Sequence, residues 1–251
     1  MQYHSAGLTD VGQRRKLNED AFLIDDELGL YVVADGMGGH AAGEIASQEA
    51  VDTVYGMVSR GHAALRRVAS GDTAEESLRQ AIRVVESAVQ AATYMVFGLA
   101  QHAPEQQGMG TTVSVLAMCG GYGITAQVGD SRIYLIRGRK AETLTEDHTL
   151  VAWQLKQGII TEAEAARSPH RNVITRAVGS REYVQVDTGF FEVQPSDAFL
   201  LCSDGLHGYL QTDEIPDVIE MGPKGAAQRF VHIANSRGGR DNITAVVVTV
   251  R

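Results

Sequence analysis

The stretch TTVSVLAMCGGYGITAQVGDSRIYLIR, residues 111–137, decides the fold. Its three apolar, β-branched runs, 111–118, 123–128 and 132–137, are separated only by Gly120-Gly121 and by Gly129-Asp130. Spacers this short make antiparallel turns and cannot hold the crossover helix that parallel strands require. With Gly138 marking one more turn, residues 111–145 are expected to form an antiparallel meander. Further strands are expected at 21–24, 30–34, 184–191, 198–202 and 243–250, each a short run bounded by turn formers.

Working outward, the clearest helix is expected over 74–100. Thr73 and Glu76 have the spacing of a capping box, and Leu78, Ile82, Val85, Val89, Ala92 and Val96 make one apolar stripe. Two more helices are expected at 43–58 and 224–236. Between 146 and 179 the pattern changes to short helical pieces, 149–157 and 161–167, the second with Thr161 and Glu164 as a cap pair. An insertion of that length between strands is either a lid or an ordinary surface excursion. Long one-faced helices need a sheet to cover, so the fold class is α+β, a layered sandwich of antiparallel strands with helices outside. No linker, repeat or low-complexity tract divides residues 1–251, and one domain is expected.

Composition narrows the function. With 31 Asp+Glu against 22 Lys+Arg the chain carries a net charge of −9, and 44% of it is hydrophobic. That apolar share supports a core and excludes disorder, while the acidity argues against nucleic acid and anionic membranes as partners. Cys119 and Cys202 have no zinc spacing and sit in apolar runs, so buried, reduced thiols are expected. Residues 1–16 are polar, unlike a signal peptide, and no apolar run approaches the ~18 residues that span a bilayer, so a cytoplasmic location is expected.

Five aspartates share one context, a turn at the end or start of an apolar run: Asp20, Asp35, Asp130, Asp204 and Asp241. One such residue is usually a turn former. Five of them, at strand ends that a sandwich gathers on one edge, make a cluster that repels itself unless cations neutralise it. Carboxylates without a His/Cys set suit Mg²⁺ or Mn²⁺, and a pair of such ions about 3.5–4 Å apart activates water. That chemistry suits phosphate esters, and Arg14-Arg15-Lys16, just before Asn18-Glu19-Asp20, offers a cation for phosphoryl oxygens. Gly36-Met37-Gly38-Gly39-His40-Ala41 fits a dinucleotide fingerprint, but Asp35 stands where a pyrophosphate would approach and no second acid-ended strand follows.

Taken together, Arg15-Lys16-Leu17-Asn18-Glu19-Asp20, Asp35-Gly36-Met37-Gly38-Gly39-His40 with Gly43-Glu44, Gly110-Thr111-Thr112, Val128-Gly129-Asp130-Ser131-Arg132, Ser203-Asp204-Gly205-Leu206 and Asp241-Asn242 resemble the PPM (PP2C-type) metal-dependent Ser/Thr protein phosphatases, in the bacterial branch. The motifs come in family order and span about residues 6 to 250. The resemblance implies a four-layer αββα sandwich of two antiparallel sheets and two to three bound Mg²⁺ or Mn²⁺. It implies that Asp35 bridges two ions, that Gly36 offers its carbonyl to one, and that Asp204 and Asp241 complete the other. Asp20 and Glu19 would act through metal-bound water, Asp130 with Asp204 would hold a weaker third ion, and Arg15 would grip the phosphate. It identifies 146–179 as the flap that selects substrate, and phosphoproteins and a cognate Ser/Thr kinase as partners.

The implied reaction is in-line attack by a metal-bridging hydroxide with no phosphoenzyme. Met37 stands where many eukaryotic members place a histidine, so the general acid is left to His40 or to a metal-bound water, with a helix-capping His40 as the plainer alternative. The other histidines, His148 and His207 among them, share no spacing and are assigned scattered surface or structural roles. Ser203 and Cys202 lack a paired base and are rejected as nucleophiles. Trp153 is expected to anchor packing in the flap. A catalytically silent phosphoprotein-binding module would be expected to lose an acid, and a third reading is a phosphatase of small phosphate esters.

Overall fold

Strands that are apolar at every position need cover on both faces. The computed structural model, which describes residues 1–38, 42–102 and 104–251, meets that need with four layers. In β3 (Leu30–Met37), Leu30, Val32 and Ala34 face helices while Tyr31 and Val33 face a second sheet, all fully buried. The same alternation runs through β10 (Ala198–Cys202) and β11 (Ile243–Val250). Leu200, Cys202, Ala245 and Val247 lie under helices, and Phe199, Leu201, Val246 and Val248 lie between the sheets.

One sheet runs in the order β2 (Asp20–Asp25), β3, β5 (Val113–Cys119), β6 (Tyr122–Val128) and β9 (Asp187–Glu192), with the short β4 (Gly110–Thr111) beside β3. The other runs β1 (Tyr3–Asp10), β11, β10, β7 (Arg132–Arg137), β8 (Lys140–Thr143). Every pairing is antiparallel. The long helices α1 (Ala42–Ala69) and α2 (Glu75–His102) cover the first sheet. The second is covered by α5 (Asp204–His207), α6 (Ile215–Ile219) and α7 (Gly222–Ser236). The αββα sandwich expected from the sequence is the observed architecture. Two short helices, α3 (Leu150–Lys156) and α4 (Glu162–Arg167), lie between β8 and β9, and Thr161 and Glu164 form the expected capping box.

Several expectations need correction. Residues 111–145 are not one meander: β5 and β6 pair in one sheet, β7 and β8 in the other, and the chain changes sheets at Gly129-Asp130-Ser131. Gly129 makes the change with φ +104°, and a Cβ there would come 2.5 Å from Thr112 Cβ. Helix α1 does not stop at 58. It continues through Gly61, whose missing Cβ lets Val84 of α2 approach, since a Cβ would lie 2.6 Å from Val84 Cγ1. Among the described residues Thr73 and Glu76 form no capping box; Asp72 instead accepts from Ala74 N–H (3.1 Å) and Ser77 Oγ (2.7 Å). Trp153 anchors nothing, with 52% of it exposed. Both cysteines are buried thiols, as expected.

Phe199 tests the layer between the sheets. It is fully buried, 5.7 Å from the ring of Phe191. Phe199→Ala should lower unfolding stability by roughly 3–5 kcal/mol in urea titration, and a loss under about 1 kcal/mol would mean this layer is not closely packed.

Candidate active site

Strand register brings the first two acids together, because β2 and β3 pair with Asp20 directly opposite Asp35. The remaining three arrive from the other sheet and its turns. Asp204 opens α5 immediately after β10, Asp241 stands two residues before β11, and Asp130 sits in the turn where the chain changes sheets. Asp20, Asp35, Asp130, Asp204 and Asp241 thus converge from separate points of the chain, and each acts on the charge of at least one other.

Polar neighbours hold them in place. Asp20 Oδ2 accepts from Ser203 Oγ (2.8 Å) and Thr244 Oγ1 (2.6 Å), so hydroxyls of one sheet fasten an acid of the other. Its Oδ1 is buried with no hydrogen-bond partner. The N–H of Asp35 donates to Thr112 Oγ1 at 3.0 Å. Gly36 N–H donates to Glu19 O at 3.0 Å, and any Cβ on Gly36 would collide with the carbonyl of Gly43 at the start of α1. Asn242 arranges the loop that carries Arg15: its Oδ1 accepts from Glu19 N–H (2.8 Å), and its Nδ2 donates to the carbonyls of Val11 (3.1 Å) and Leu17 (2.9 Å). Arg15 reaches back across the cleft, its Nη2 donating to Asp241 Oδ2 at 2.7 Å.

The charge arrangement is severe. Burial, and then the charges of Asp20 and Asp204, raise Asp35 well above the ordinary carboxylate range. Asp20 is pushed up to about 7 by burial, against the pull of its two hydroxyl donors. Asp130 also rises to about 7, through burial and then Asp204. Asp204 is raised by burial and then by the charge of Asp241. Among the described residues no three of these carboxylates stand close enough to hold one ion between them, and Asp241 is turned to Arg15.

The cluster floors a 410 Å³ cavity bounded by Arg15, Asp35, Gly36, Met37, Asp204 and Asp241. A second cavity of 560 Å³ shares Asp130, Asn172, Asp204 and Asp241 with it and runs beneath α3 and α4. So Arg15, Glu19, Asp35, Gly36, Asp130, Asp204 and Asp241, singled out in the sequence, do meet at one cleft, with Asp20 packed behind it. His40 lies outside the described residues. Sequence reasoning passed over Thr244, quoted Thr112 only within its motif, left His148 and His207 with surface or structural roles, and gave Asn242 no role. Thr112 and Asn242 had a usable signal, their places in the Gly110-Thr111-Thr112 motif and beside Asp241.

A two-sheet sandwich with a carboxylate-floored cleft and one arginine at the rim defines a metal-dependent phosphoester hydrolase. Comparison with known proteins takes this further. Residues 12–242 match the family model described as protein phosphatase 2C. Protein phosphatase PhpP of Streptococcus pneumoniae is 36% identical over 248 residues, covering 97% of this chain and 96% of that one. The crystal structure of the Mycobacterium tuberculosis serine/threonine phosphatase PstP/Ppp superposes with a TM-score of 0.86 at 31% identity, covering 100% of both chains. A structure of the catalytic domain of PstP in complex with two manganese ions gives a TM-score of 0.83 at 30% identity, covering 99% of this chain and 98% of that one. The chain belongs to the protein phosphatase 2C family, whose members are metal-dependent phosphoprotein phosphatases.

The buried acids have a measurable consequence. Asp20 titrates near 7 in the folded protein against 3.8 when exposed. Between those values the native state keeps a proton that the unfolded chain has released, so this group's contribution to stability is greatest at low pH and declines as pH rises toward 7. In chelator, the urea midpoint of the parent relative to Asp20→Asn should therefore fall between about pH 4 and 7. A relative midpoint that rises over that window would show that Asp20 is not buried as described.

Proposed function

We propose that this protein hydrolyses phosphoserine and phosphothreonine on other proteins, with two to three Mg²⁺ or Mn²⁺ ions held by the aspartate cluster. The observation that carries the reading is the convergence of Asp20, Asp35, Asp130, Asp204 and Asp241 beside Arg15. The donor set fits such ions: it is all oxygen, it contains a buried and unpartnered Asp20 Oδ1, and Asp35 is raised by burial and then by the charges of its neighbours. Asp35 would serve two ions, with the Gly36 carbonyl on one and Asp204 and Asp241 on the other. Asp20 and Glu19 would act through water, and Asp130 with Asp204 would hold a third ion. When bound, such ions supply water of lowered pKa and offset the charge of the phosphoryl group.

The chain's own residues prepare the rest. Arg15 is half exposed at the cavity rim, and its bond to Asp241 uses only Nη2, leaving further N–H donors for the phosphoryl oxygens. Asp241 thereby holds the guanidinium in place before substrate arrives. The phosphoryl group gains most from these donors as its charge spreads in the transition state. Met37 on the cavity wall has no proton to give, so the departing alkoxide would take its proton from a water of the cleft or from His40. The acidic walls repel a free anion, which keeps an empty, ion-free cleft from trapping phosphate.

Residues 1–251 act as a single catalytic domain, and 146–179 act as a flap over the second cavity. Supporting this, α3 and α4 line that cavity while the Thr149–Ile174 bridge closes the base of the segment. The net charge of −9 favours phosphoproteins over nucleic acid or membrane as partners. No helix among the described residues is long and apolar enough to cross a membrane. Reduced, buried cysteines suit the cytoplasm, where a Ser/Thr kinase would supply the substrates.

The deciding experiment is phosphate release from a phosphothreonine peptide with Mn²⁺, with Mg²⁺ and with excess EDTA. Release should require the metal, and Asp204→Asn should reduce it by at least ~10²-fold in a protein that still folds. Release that is unaffected by EDTA or by the substitution would overturn the assignment. Arg15→Ala should chiefly raise KM, by roughly tenfold for the loss of a charge-assisted contact. Unchanged KM and kcat would return Arg15 to the solvated surface.

A further inference from the structure

The turn Gly129-Asp130-Ser131 has its three carbonyls, its Gly129 amide and its Ser131 hydroxyl tied to side chains. Gln127 Nε2 donates to the carbonyls of Gly129 (3.1 Å) and Ser131 (2.6 Å), Ser114 Oγ donates to Ser131 O (3.0 Å), and the hydroxyls of Thr112 and Ser131 are 2.7 Å apart. Two histidines complete the set. His207 Nε2 donates to Asp130 O at 2.9 Å. Gly129 N–H donates to His148 Nδ1 at 3.1 Å, and the backbone N–H of His148 donates back to Gly129 O at 2.9 Å.

His148 also stands where the 146–179 segment leaves the sheets. At the segment's return, Thr175 N–H donates to His148 O at 2.8 Å. Because Nδ1 accepts, the ring proton is on Nε2 and goes to Asp187 Oδ2 of β9 at 3.0 Å. Arg176, also at the segment's return, donates to the other oxygen, Oδ1, at 2.7 Å. The 3.1 Å approach of Arg176 Nη1 to Nε2 is donor to donor, so the Asp187 carboxylate is what holds both. The His148 residue is 5% exposed. Burial keeps its pKa below the usual imidazole value, and the neutral ring retains its acceptor at Nδ1. Asp187 stays ionised because the His148 and Arg176 bonds outweigh the burial that would raise its pKa.

We propose that His148 is a positioning residue that joins the base of the 146–179 segment to the 129–131 turn and so fixes the Asp130 carboxylate at the edge of the cleft. Its consequence for catalysis rests on the reading of Asp130 as a cation ligand, whereas the joint itself does not. Segment and carboxylate then share one support: displacing the segment strains the Gly129 amide bond, and loosening that bond frees Asp130.

The test begins without metal, by hydrogen exchange of the protein in EDTA. His148→Leu keeps the bulk and removes the acceptor, and should speed exchange of the Gly129 amide by about tenfold, the worth of one buried hydrogen bond. His148→Asn, which places an oxygen near the Nδ1 position, should restore most of the protection. Asp187→Ala acts on the half-exposed far end of the same chain of bonds, so it covers the case in which His148→Leu does not fold; it should speed exchange in both the turn and the 146–179 segment. Unchanged Gly129 exchange in a folded variant overturns the proposal. Calorimetric Mn²⁺ titration then separates the two readings. The weakest binding step should weaken in His148→Leu and in Asp130→Asn while tighter steps stay unchanged, and the kcat lost at low Mn²⁺ should return at high Mn²⁺ with KM unaltered. Faster Gly129 exchange with an unaltered titration in Asp130→Asn would uphold the joint and overturn Asp130 as a ligand.

Discussion

Two carboxylates set face to face on neighbouring antiparallel strands, Asp20 against Asp35, are the constraint around which the rest is arranged. Like charges in that position oppose strand pairing, and three further aspartates add to the repulsion. The cost is met by apolar layers on both sides of each sheet and by the hydroxyl donors Ser203 and Thr244, which reach Asp20 from the other sheet. Each acid lies in a strand or within two residues of a strand end. Carboxylates anchored in this way cannot relax away from one another, and burial first, then neighbouring charge, raises Asp20, Asp35, Asp130 and Asp204. The same field that destabilises the empty cluster is what a divalent cation would neutralise.

Legibility in the sequence followed the strength of the local signal. The interior strands were read from β-branched runs such as 243–250, because burial on both faces leaves no polar interruption. The edge strand β1 went unread, since YHSAGLTD is polar, half-exposed and paired with the distant β11, while the exposed β8, KAET, was covered only by the meander expected to 145. The sheet change at Gly129 was mistaken for a hairpin, since Gly-Asp reads the same whether the next strand turns back or crosses over. The length of α1 was also misjudged: it runs past 58 and through Gly61, a glycine that lets α2 approach and does not end the helix.

The acids of the site were legible because turn aspartates at five strand ends form a pattern, and the motif order gave them roles. The residues that hold those acids were not. Thr112, Thr244, His148 and His207 act through distance in space, at sequence separations that carry no periodicity. A supporting side chain is selected by the geometry of what it supports, and one sequence records only its identity. Ser203 illustrates the difference: adjacency to Asp204 suggested a nucleophile to be rejected, while the structure gives it work as a hydrogen-bond donor to Asp20.

Strand β11 lies between β1 and β10, and the Thr9–Thr244 hydroxyl contact across that pairing joins residues 235 apart. During synthesis the first strand therefore waits for nearly the whole chain before it has a partner. The six-stranded sheet with α1 and α2 can assemble on the ribosome without it, whereas the five-stranded sheet cannot close until residue 250 has left the tunnel. Asp241 and Thr244 emerge within that final segment, so the nascent protein carries an incomplete acid cluster and an unfastened Asp20 until then. A truncated translation product would present open strand edges to chaperones and proteases, with no cleft to work with.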